Sequence, residues 1–358
     1  MAHQITKKSD GTPAYAYIAD MGEAWHGLGT SVERTDAQEN PAEIFEAAGF
    51  IERRIERAFV MYRPERDAEP VLYPDRVVLI DSVTRQPLEV VSASYKRHQP
   101  EEIAEFFVQA FGAMGLLADS VGILRDGSSY FASATIGESI RVIGKDTIRP
   151  NVLVRTAADG SGATDFYNVV TRTVCANTEA VAIAETPNGL RMRYPHRSAF
   201  NPRQAVVDLQ AAIAAARAEV ESFKELTQTG LSPSTAADVI AAVMAGRRVA
   251  NGVTPKQAGE RTRRIRTSAQ YASIMRLYAG DGKGSTLPGV AGTAWGLFNA
   301  VTEFLTHHAT AKSDGHRFDS NLSGRGADLR GTVRDLLLSY GRQDADALST
   351  IEAAAAVE

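Results

Sequence analysis

The hydrophobic pattern of this 358-residue chain changes near residue 200, from one that favours strands to one that favours helices. Before that point, short β-rich runs are separated by turn signals such as Asp126-Gly127. Beyond it come three cap-plus-proline pairs of the kind that begin helices, at Asn201-Pro202, Ser232-Pro233 and Thr254-Pro255. Strands first and helices afterwards is the α+β pattern, so we predict an α+β fold.

The clearest single element is a helix predicted over residues 100–114. Its apolar side chains recur at helical spacing and are Ile103, Phe106, Phe107, Ala110, Phe111 and Met114. A stripe of this kind must pack on a sheet or on another helix. Residues 76–93 predict a hairpin and residues 118–175 predict further strands. We therefore expect an antiparallel β-meander packed on this aromatic-striped helix, followed by an all-helical C-terminal half.

These patterns divide the chain into three predicted parts. They are an irregular N-terminal arm over residues 1–40, an α+β core domain over 41–200 and a helical region over 201–358. The arm is polar and rich in glycine, whereas the helical region ends in an alanine-rich segment.

Composition restricts the classes of protein to consider. The one cysteine, Cys175, allows neither an internal disulfide nor a cysteine-based zinc cluster. The longest apolar runs fall well short of the ~20 residues of a membrane helix, and the N-terminus does not resemble a signal peptide. We expect a cytoplasmic protein with no cofactor, no metal site and no membrane contact.

The sequence also predicts that the protein is not an enzyme. The segment Gly280–Ser285 resembles a phosphate-binding loop but lacks its spacing and follows a predicted helix instead of a strand. Glu303 and His307 are four residues apart, but two ligands without a third make a poor metal site. The alternative, an enzyme of unrecognised type, would require polar side chains from residues 90–100 and 165–177 to converge in a pocket.

Positive charge is concentrated in the middle of the chain. Residues 141–270 hold 18 Lys and Arg against 11 Asp and Glu, a balance of +7, although the whole chain has a net charge of −4. The predicted nucleic-acid contacts within this region are Arg247, Arg248, Lys256, Arg261, Arg263, Arg264 and Arg266. Tyr271 and Tyr278 follow the cluster and could supply rings for base stacking. The alternative is a solvated helix face or a salt-bridged subunit contact.

Trp25 and His26 are the remaining candidate contacts, within the segment Glu23-Ala24-Trp25-His26-Gly27-Leu28-Gly29. An indole and an imidazole between glycines could stack on a base or contact a phosphate. Alternatively, Trp25 anchors the arm to the core while His26 makes a local hydrogen bond.

Three segments together resemble the phage/plasmid-like protein family, a domain of unknown function found in bacteriophages, plasmids and integrated elements. They are Glu23–Gly29, Thr171-Arg172-Thr173-Val174-Cys175-Ala176-Asn177-Thr178, and Thr293-Ala294-Trp295-Gly296-Leu297-Phe298-Asn299-Ala300-Val301-Thr302-Glu303-Phe304. The chain departs from the family's usual pattern at Thr173, Ala176 and Glu179, in and next to the second segment, so we assign no role to Cys175. The resemblance implies a mobile-element protein of a bacterial host cell and supplies no catalytic residues.

The predicted architecture is also similar to the core of recombination proteins that anneal single-stranded DNA, a likeness of fold alone. Together these features favour a DNA-metabolism protein that binds single-stranded DNA as a homo-oligomer, with strand annealing in recombination as a further expectation. The alternative is a non-enzymatic interaction or regulatory protein that acts on a host protein through its helical half.

Overall fold

The structure is a computed structural model, and it divides the chain into two compact units. The first unit comprises residues 1–136, 151–167 and 190–213, and the second comprises residues 137–150, 168–189 and 214–358. The structure describes residues 5–357 apart from 22–26, 113–114, 137–139, 145, 161–163, 173–180, 183–191, 195–206, 208–209, 212–213, 215–220, 247–254, 313–315, 318–319 and 322–323.

Twelve strands lie in the described part of the chain. They are β1 (Tyr15–Ile18), β2 (Thr30–Val32), β3 (Ile55–Tyr62), β4 (Val71–Asp81), β5 (Pro87–Ser92), β6 (Ala118–Leu124), β7 (Ser129–Thr135), β8 (Ile140–Ile143), β9 (Asp146–Ala157), β10 (Thr164–Arg172), β11 (Val181–Ala182) and β12 (Met192–Tyr194). The helices of the first unit are α1 (Arg34–Glu39), α2 (Glu43–Ala47) and α3 (Pro100–Gly112).

The main sheet of the first unit has the strand order β10-β9-β7-β6-β1-β2, with β12 beside β10. Neighbouring strands from β6 to β9 pair in antiparallel fashion, for example Val121 with Ala132 and Ala132 with Val154. The predicted antiparallel meander is therefore confirmed. The short pair β1–β2 differs from these strands in being parallel, with Ala16 opposite Thr30.

Helix α3 packs on β6 and β7 through its predicted aromatic stripe. Phe107 is fully buried, and its ring stacks on those of Phe45 and Phe111 at centroid distances of 5.9 and 6.1 Å. Met114, the last predicted member of the stripe, lies outside the described residues. The helix ends before Gly115, which adopts the left-handed conformation that favours glycine (φ 65°).

The prediction of irregular structure was wrong for part of the arm. Tyr15–Ile18 forms β1, which is buried and pairs with β6, Ala16 lying opposite Val121. Four residues between polar, glycine-rich flanks give too short a pattern to identify, and the strand is stabilised by the sheet that it joins. Gly29 permits the close approach of β2, since a Cβ there would lie 2.4 Å from Cδ1 of Tyr15.

Strands β3, β4 and β5 form a separate antiparallel sheet in that order. The predicted hairpin of residues 76–93 is its β4–β5 half, in which Val78 lies opposite Val90. A buried ion pair joins the base of this sheet to the rest of the first unit. Arg53 and Asp81 are both fully buried, and their side chains meet at 2.5 Å.

The second unit is mainly helical. Its helices include α4 (Pro233–Gly246), α5 (Pro255–Arg266), α6 (Ala269–Arg276), α7 (Ala294–Glu303), α8 (Arg325–Gly341) and α9 (Ala345–Ala355). Residues 221–228 are also helical. Strand β8 and the first residues of β9 belong to this unit, where Ile140 pairs with Ile148. The prediction of a helical C-terminal half is thus confirmed. The same unit also contains a strand hairpin, β8–β9.

Trp295 lies at the centre of the second unit's core. Its ring is 2% exposed and lies 5.1 Å from Phe223 and 5.8 Å from Phe298, measured between centroids. The indole Nε1 donates a hydrogen bond of 2.8 Å to the buried Asp146 at the start of β9. This bond holds the β8–β9 hairpin against the helices of the same unit. None of the helices in the described residues is long and apolar enough to cross a membrane.

Candidate nucleic-acid interface

Helix α5 carries the part of the predicted basic cluster that the structure describes best. Pro255 occupies its first position, where a missing backbone N–H costs nothing. The buried Thr262 marks the face that packs toward α4 and α6. Arg263 and Arg264 follow Thr262 and are exposed, because successive helical residues are about 100° apart around the axis. The helix therefore presents two adjacent guanidinium groups to solvent.

Arg266 has a different environment from these two residues. Its side chain is 23% exposed and forms an ion pair with Asp238 of α4, and its Nη2 also donates to the carbonyl oxygen of Ala354 in α9 at 3.1 Å. Burial lowers the pKa of this guanidinium, but the hydrogen bond and charge of Asp238 outweigh it, and the pKa is raised overall. Arg266 thus fixes α5 to two neighbouring helices within the second unit.

The structure describes only some of the other predicted contact residues. Arg261 is half-buried and has an interaction partner within the fold, and Arg263 also has one. Lys256 lies in α5, but its side chain is outside the described residues. Also outside the described residues are Arg247, Arg248, Trp25 and His26.

The expected role of the two tyrosines is not supported by their positions. Tyr278 is 7% exposed, and its hydroxyl donates a hydrogen bond of 2.6 Å to the carbonyl oxygen of Leu231. Tyr271 is half-buried against the same core. Because a ring stacked in a core cannot stack on a base, the suggestion that Tyr278 supplies a ring for nucleic acid was wrong.

Arg276 is an exposed cation that the sequence analysis left out. It lies in the last turn of α6, and α6 contacts α5. Nine uncharged residues separate Arg276 from the cluster in the sequence. A cluster defined by closely spaced charges therefore did not include it. Ser268, between the two helices, caps α6 by accepting the N–H of Tyr271 at 3.2 Å.

The third segment behind the family resemblance is the buried helix α7. Thr293 caps it by accepting the N–H of Gly296 at 3.1 Å. A Cβ on Gly296 would lie 2.5 Å from the carbonyl oxygen of Val290, so only glycine fits without a shift of the backbone. This segment therefore has a packing role, which explains its residue pattern without a ligand.

Among the described residues, Glu303 and His307 do not belong to a metal-binding group. Glu303 accepts the backbone N–H of Lys283 at 2.8 Å, and its second oxygen lies 3.9 Å from Nε2 of His308. No group of three or more His, Cys, Asp or Glu side chains with metal-binding geometry occurs among the residues that the structure covers.

Acid is expected to destabilise the protein through His307. Burial, together with the charges of Lys283, His308 and Arg317, lowers the pKa of His307 to about 4. An unfolded histidine has a pKa of about 6.5, so the unfolded chain takes up a proton between these values that the folded chain does not. Stability from this residue therefore falls as the pH decreases from about 6.5 to about 4.

Thermal unfolding at pH 7 and pH 5 measures this effect. We expect the His307→Gln variant to lose less stability than the wild type over this interval, by about 1 kcal/mol because solvent screens a half-buried group. His316→Gln, which changes another exposed histidine of the second unit, is the matched control and should behave like the wild type. Equal losses in His307→Gln and wild type would contradict the assignment.

The comparisons with known proteins give a family but no described relative. Neither the curated proteins nor the solved structures include a match to this chain. One family model, described as "Domain of unknown function (DUF932)", matches residues 87–323. That range includes β5 to β12, the basic helix α5 and the buried helix α7. The chain belongs to the family described as Domain of unknown function (DUF932).

Proposed function

We propose that the protein is a phage- or plasmid-type DNA-metabolism protein that binds single-stranded DNA through helix α5. The observation that carries this proposal is the exposure of Arg263 and Arg264 on a helix that Arg266 anchors to α4 and α9. An arginine fork can donate two hydrogen bonds to one phosphate, so two such groups on a fixed helix form a backbone-binding element.

The distribution of charge supports the same proposal. Outside residues 141–270 the chain holds 21 basic and 32 acidic residues, a balance of −11, against +7 within that range. Acidic flanks around a basic region direct a polyanion to that region and repel it elsewhere. Arg276 on the neighbouring helix α6 adds to the positive charge close to α5 in the chain.

Binding of this kind is directed to the sugar-phosphate backbone. With Tyr278 in the core, rings for base stacking would have to come from other residues, and Trp25 and His26 remain the candidates from the sequence. Such a protein would hold strands extended while base pairing drives annealing, and it would require no cofactor and no catalytic residue. Homo-oligomers would place several such helices along one strand.

Charge reversal on α5 tests the proposal. We expect Arg263→Glu/Arg264→Glu to lower the affinity for a labelled ~30-nucleotide strand by roughly tenfold or more, since each lost contact costs on the order of 1 kcal/mol. Fluorescence anisotropy at one fixed low salt concentration measures this change. Both side chains are exposed, so the melting temperature should stay close to that of the wild type.

Lys312→Glu/Arg342→Glu provides a matched control. Both residues are exposed in the second unit, and their reversal changes the net charge by the same amount. The proposal requires a much smaller loss of affinity in this variant than in the α5 variant. Equal losses would mean that only net charge matters, and the assignment of α5 would be wrong.

A further inference from the structure

The distal half of the β3–β4 hairpin, in the first unit, exposes large apolar side chains. They are Phe59 (76% exposed), Met61 (52%), Tyr62 (48%), Leu72 (45%), Tyr73 (44%) and Val71 (43%). The proximal half of the same strands is buried, with Ile55 at 1% and Leu79 at 0%. Phe59, Met61 and Leu72 lie on one face of the hairpin and Tyr62, Val71 and Tyr73 on the other, since Met61 is opposite Leu72 and Tyr62 is opposite Val71. Exposed apolar side chains concentrated on one hairpin mark an interaction site in a folded protein.

Strand β3 is also an edge of its sheet. No further strand pairs with it among the residues that the structure describes, and the strand order of the sheet is β3-β4-β5. At its buried end the outer edge is covered by Gln99, which accepts the N–H of Ile55 at 2.9 Å and donates to its carbonyl oxygen at 3.1 Å. The backbone N–H and C=O groups of successive strand residues point to alternate edges of the strand. Those of Arg57 and Phe59 therefore point to the same outer edge as those of Ile55.

The edge lacks the features that protect exposed strands from pairing. Residues 58–62 contain neither a charge, a proline nor a glycine. The irregularity in the ladder lies in the partner strand. Phe59 is opposite Val77 and Met61 is opposite Leu72, so the additional residues are in β4 and β3 continues regularly. The uncharged distal part of this edge strand, residues 58–62, is a template for another strand.

We propose that β3 pairs in antiparallel fashion with β3 of a second copy of this chain, joining two three-stranded sheets across a two-fold axis. The charges favour a second copy over a polyanion, because residues 54–76 hold five arginines and five acidic residues. A neutral surface of mixed charge neither attracts nucleic acid nor repels its own copy. A two-fold interface requires one self-complementary patch, which the hairpin provides.

The charges also select the register of the pairing. An axis at Val60 would place Arg57 opposite Arg63 of the other copy, and like charges directly opposite are unfavourable. An axis at Ala58 places Arg57 opposite Phe59, and an axis at Phe59 places Arg57 opposite Met61. Both of these registers avoid facing like charges, so the axis lies at residue 58 or 59.

The exposed side chains supply part of the area that a dimer needs. The aromatic side chains Phe59, Tyr62 and Tyr73 can each bury roughly 150–250 Å², and about half or more of each is exposed, which gives on the order of 300 Å² per copy before Met61, Val71 and Leu72 are added. The strand backbone and the flanking charged side chains add to this. A stable interface buries roughly 800 Å² per partner.

Sedimentation velocity of the full chain over a range of micromolar concentrations tests the proposal. We expect a wild-type dimer and at least a tenfold weaker association in Phe59→Glu/Met61→Glu. Val207→Glu, which changes another exposed apolar residue of the first unit, should dimerise like the wild type. Melting curves check that the variants are folded, because all three side chains point into solvent.

Cysteine cross-linking locates the axis in a Cys175→Ser background. Ala58→Cys or Phe59→Cys should form an interchain disulfide, whereas Arg85→Cys, outside β3, should not. A monomeric wild type would overturn the proposal. A dimer that Phe59→Glu/Met61→Glu leaves unchanged would also overturn it. So would a wild type that stays monomeric and whose affinity for single-stranded DNA is lowered by Phe59→Glu/Met61→Glu, since the hairpin would then contact DNA and not a second copy.

Discussion

Replacing Asp81 with alanine is expected to destabilise the protein by about 3–5 kcal/mol, because it leaves the fully buried guanidinium of Arg53 without its counter-charge. Asp81 also accepts the N–H groups of Val83 and Thr84 at 3.1 and 2.7 Å, which fix the β4–β5 turn. Solvent cannot replace the lost charge of Asp81, because both side chains of the ion pair are fully buried. A Cβ on Gly127 would lie only 2.4 Å from Oδ2 of Asp81, so the pair is tightly enclosed.

Urea unfolding of Asp81→Ala measures this loss. The control is Glu56→Ala, which removes the partner of Arg85 from an ion pair of 2.6 Å whose side chains are 46% and 63% exposed. It should cost less than about 1 kcal/mol, since solvent already screens the pair. The double variant Arg53→Met/Asp81→Leu should be more stable than Asp81→Ala, because it removes both charges. A loss below about 1 kcal/mol in Asp81→Ala would contradict the account of a buried pair.

Truncation of Trp295 to alanine is expected to have a comparable effect on the second unit. Removing a buried indole that packs on Phe223 and Phe298 leaves a cavity, and such changes cost about 3–5 kcal/mol. The same change removes the N–H that donates to the buried carboxylate of Asp146. We expect the β8–β9 hairpin to lose its attachment to the helices of this unit.

Trp295→Phe separates the hydrogen bond from the packing. Phenylalanine fills much of the site but cannot donate to Asp146, so we expect a loss of about 1–3 kcal/mol, smaller than that of Trp295→Ala. Chemical denaturation of the two variants and the wild type gives both values. Equal stability of Trp295→Phe and wild type would show that the bond to Asp146 contributes nothing.

Local pattern was enough to predict the elements with strong periodicity. The stripe of α3 places apolar residues on one face, which the structure buries, and the apolar runs on either side of a turn predicted the β4–β5 hairpin. The pairing of Arg53 with Asp81 could not be predicted in this way. The two residues are 28 positions apart, and each looks like an ordinary surface charge until the fold brings them together.

The candidate interface also combines features that the sequence predicts with features that depend on the fold. The sequence groups Arg263, Arg264 and Arg266 as equivalent, whereas the phase of α5 exposes the first two and directs the third toward Asp238. Tyr278 was misassigned because its spacing from Tyr271 suits a helix face, but that face belongs to the core. Charge density can be read from a sequence, but the side of a helix that is buried depends on neighbours distant in the chain.

The salt dependence of single-stranded DNA binding tests the central claim most directly. Anisotropy titrations of wild type and Arg263→Glu/Arg264→Glu between about 50 and 200 mM salt give the slope of log K against log salt concentration. Each phosphate contact contributes roughly −0.7 to this slope. We predict a clearly negative slope in the wild type that is shallower by about 1.4 in the variant. Absence of binding at the lowest salt concentration, or identical slopes, would contradict the proposed role of α5.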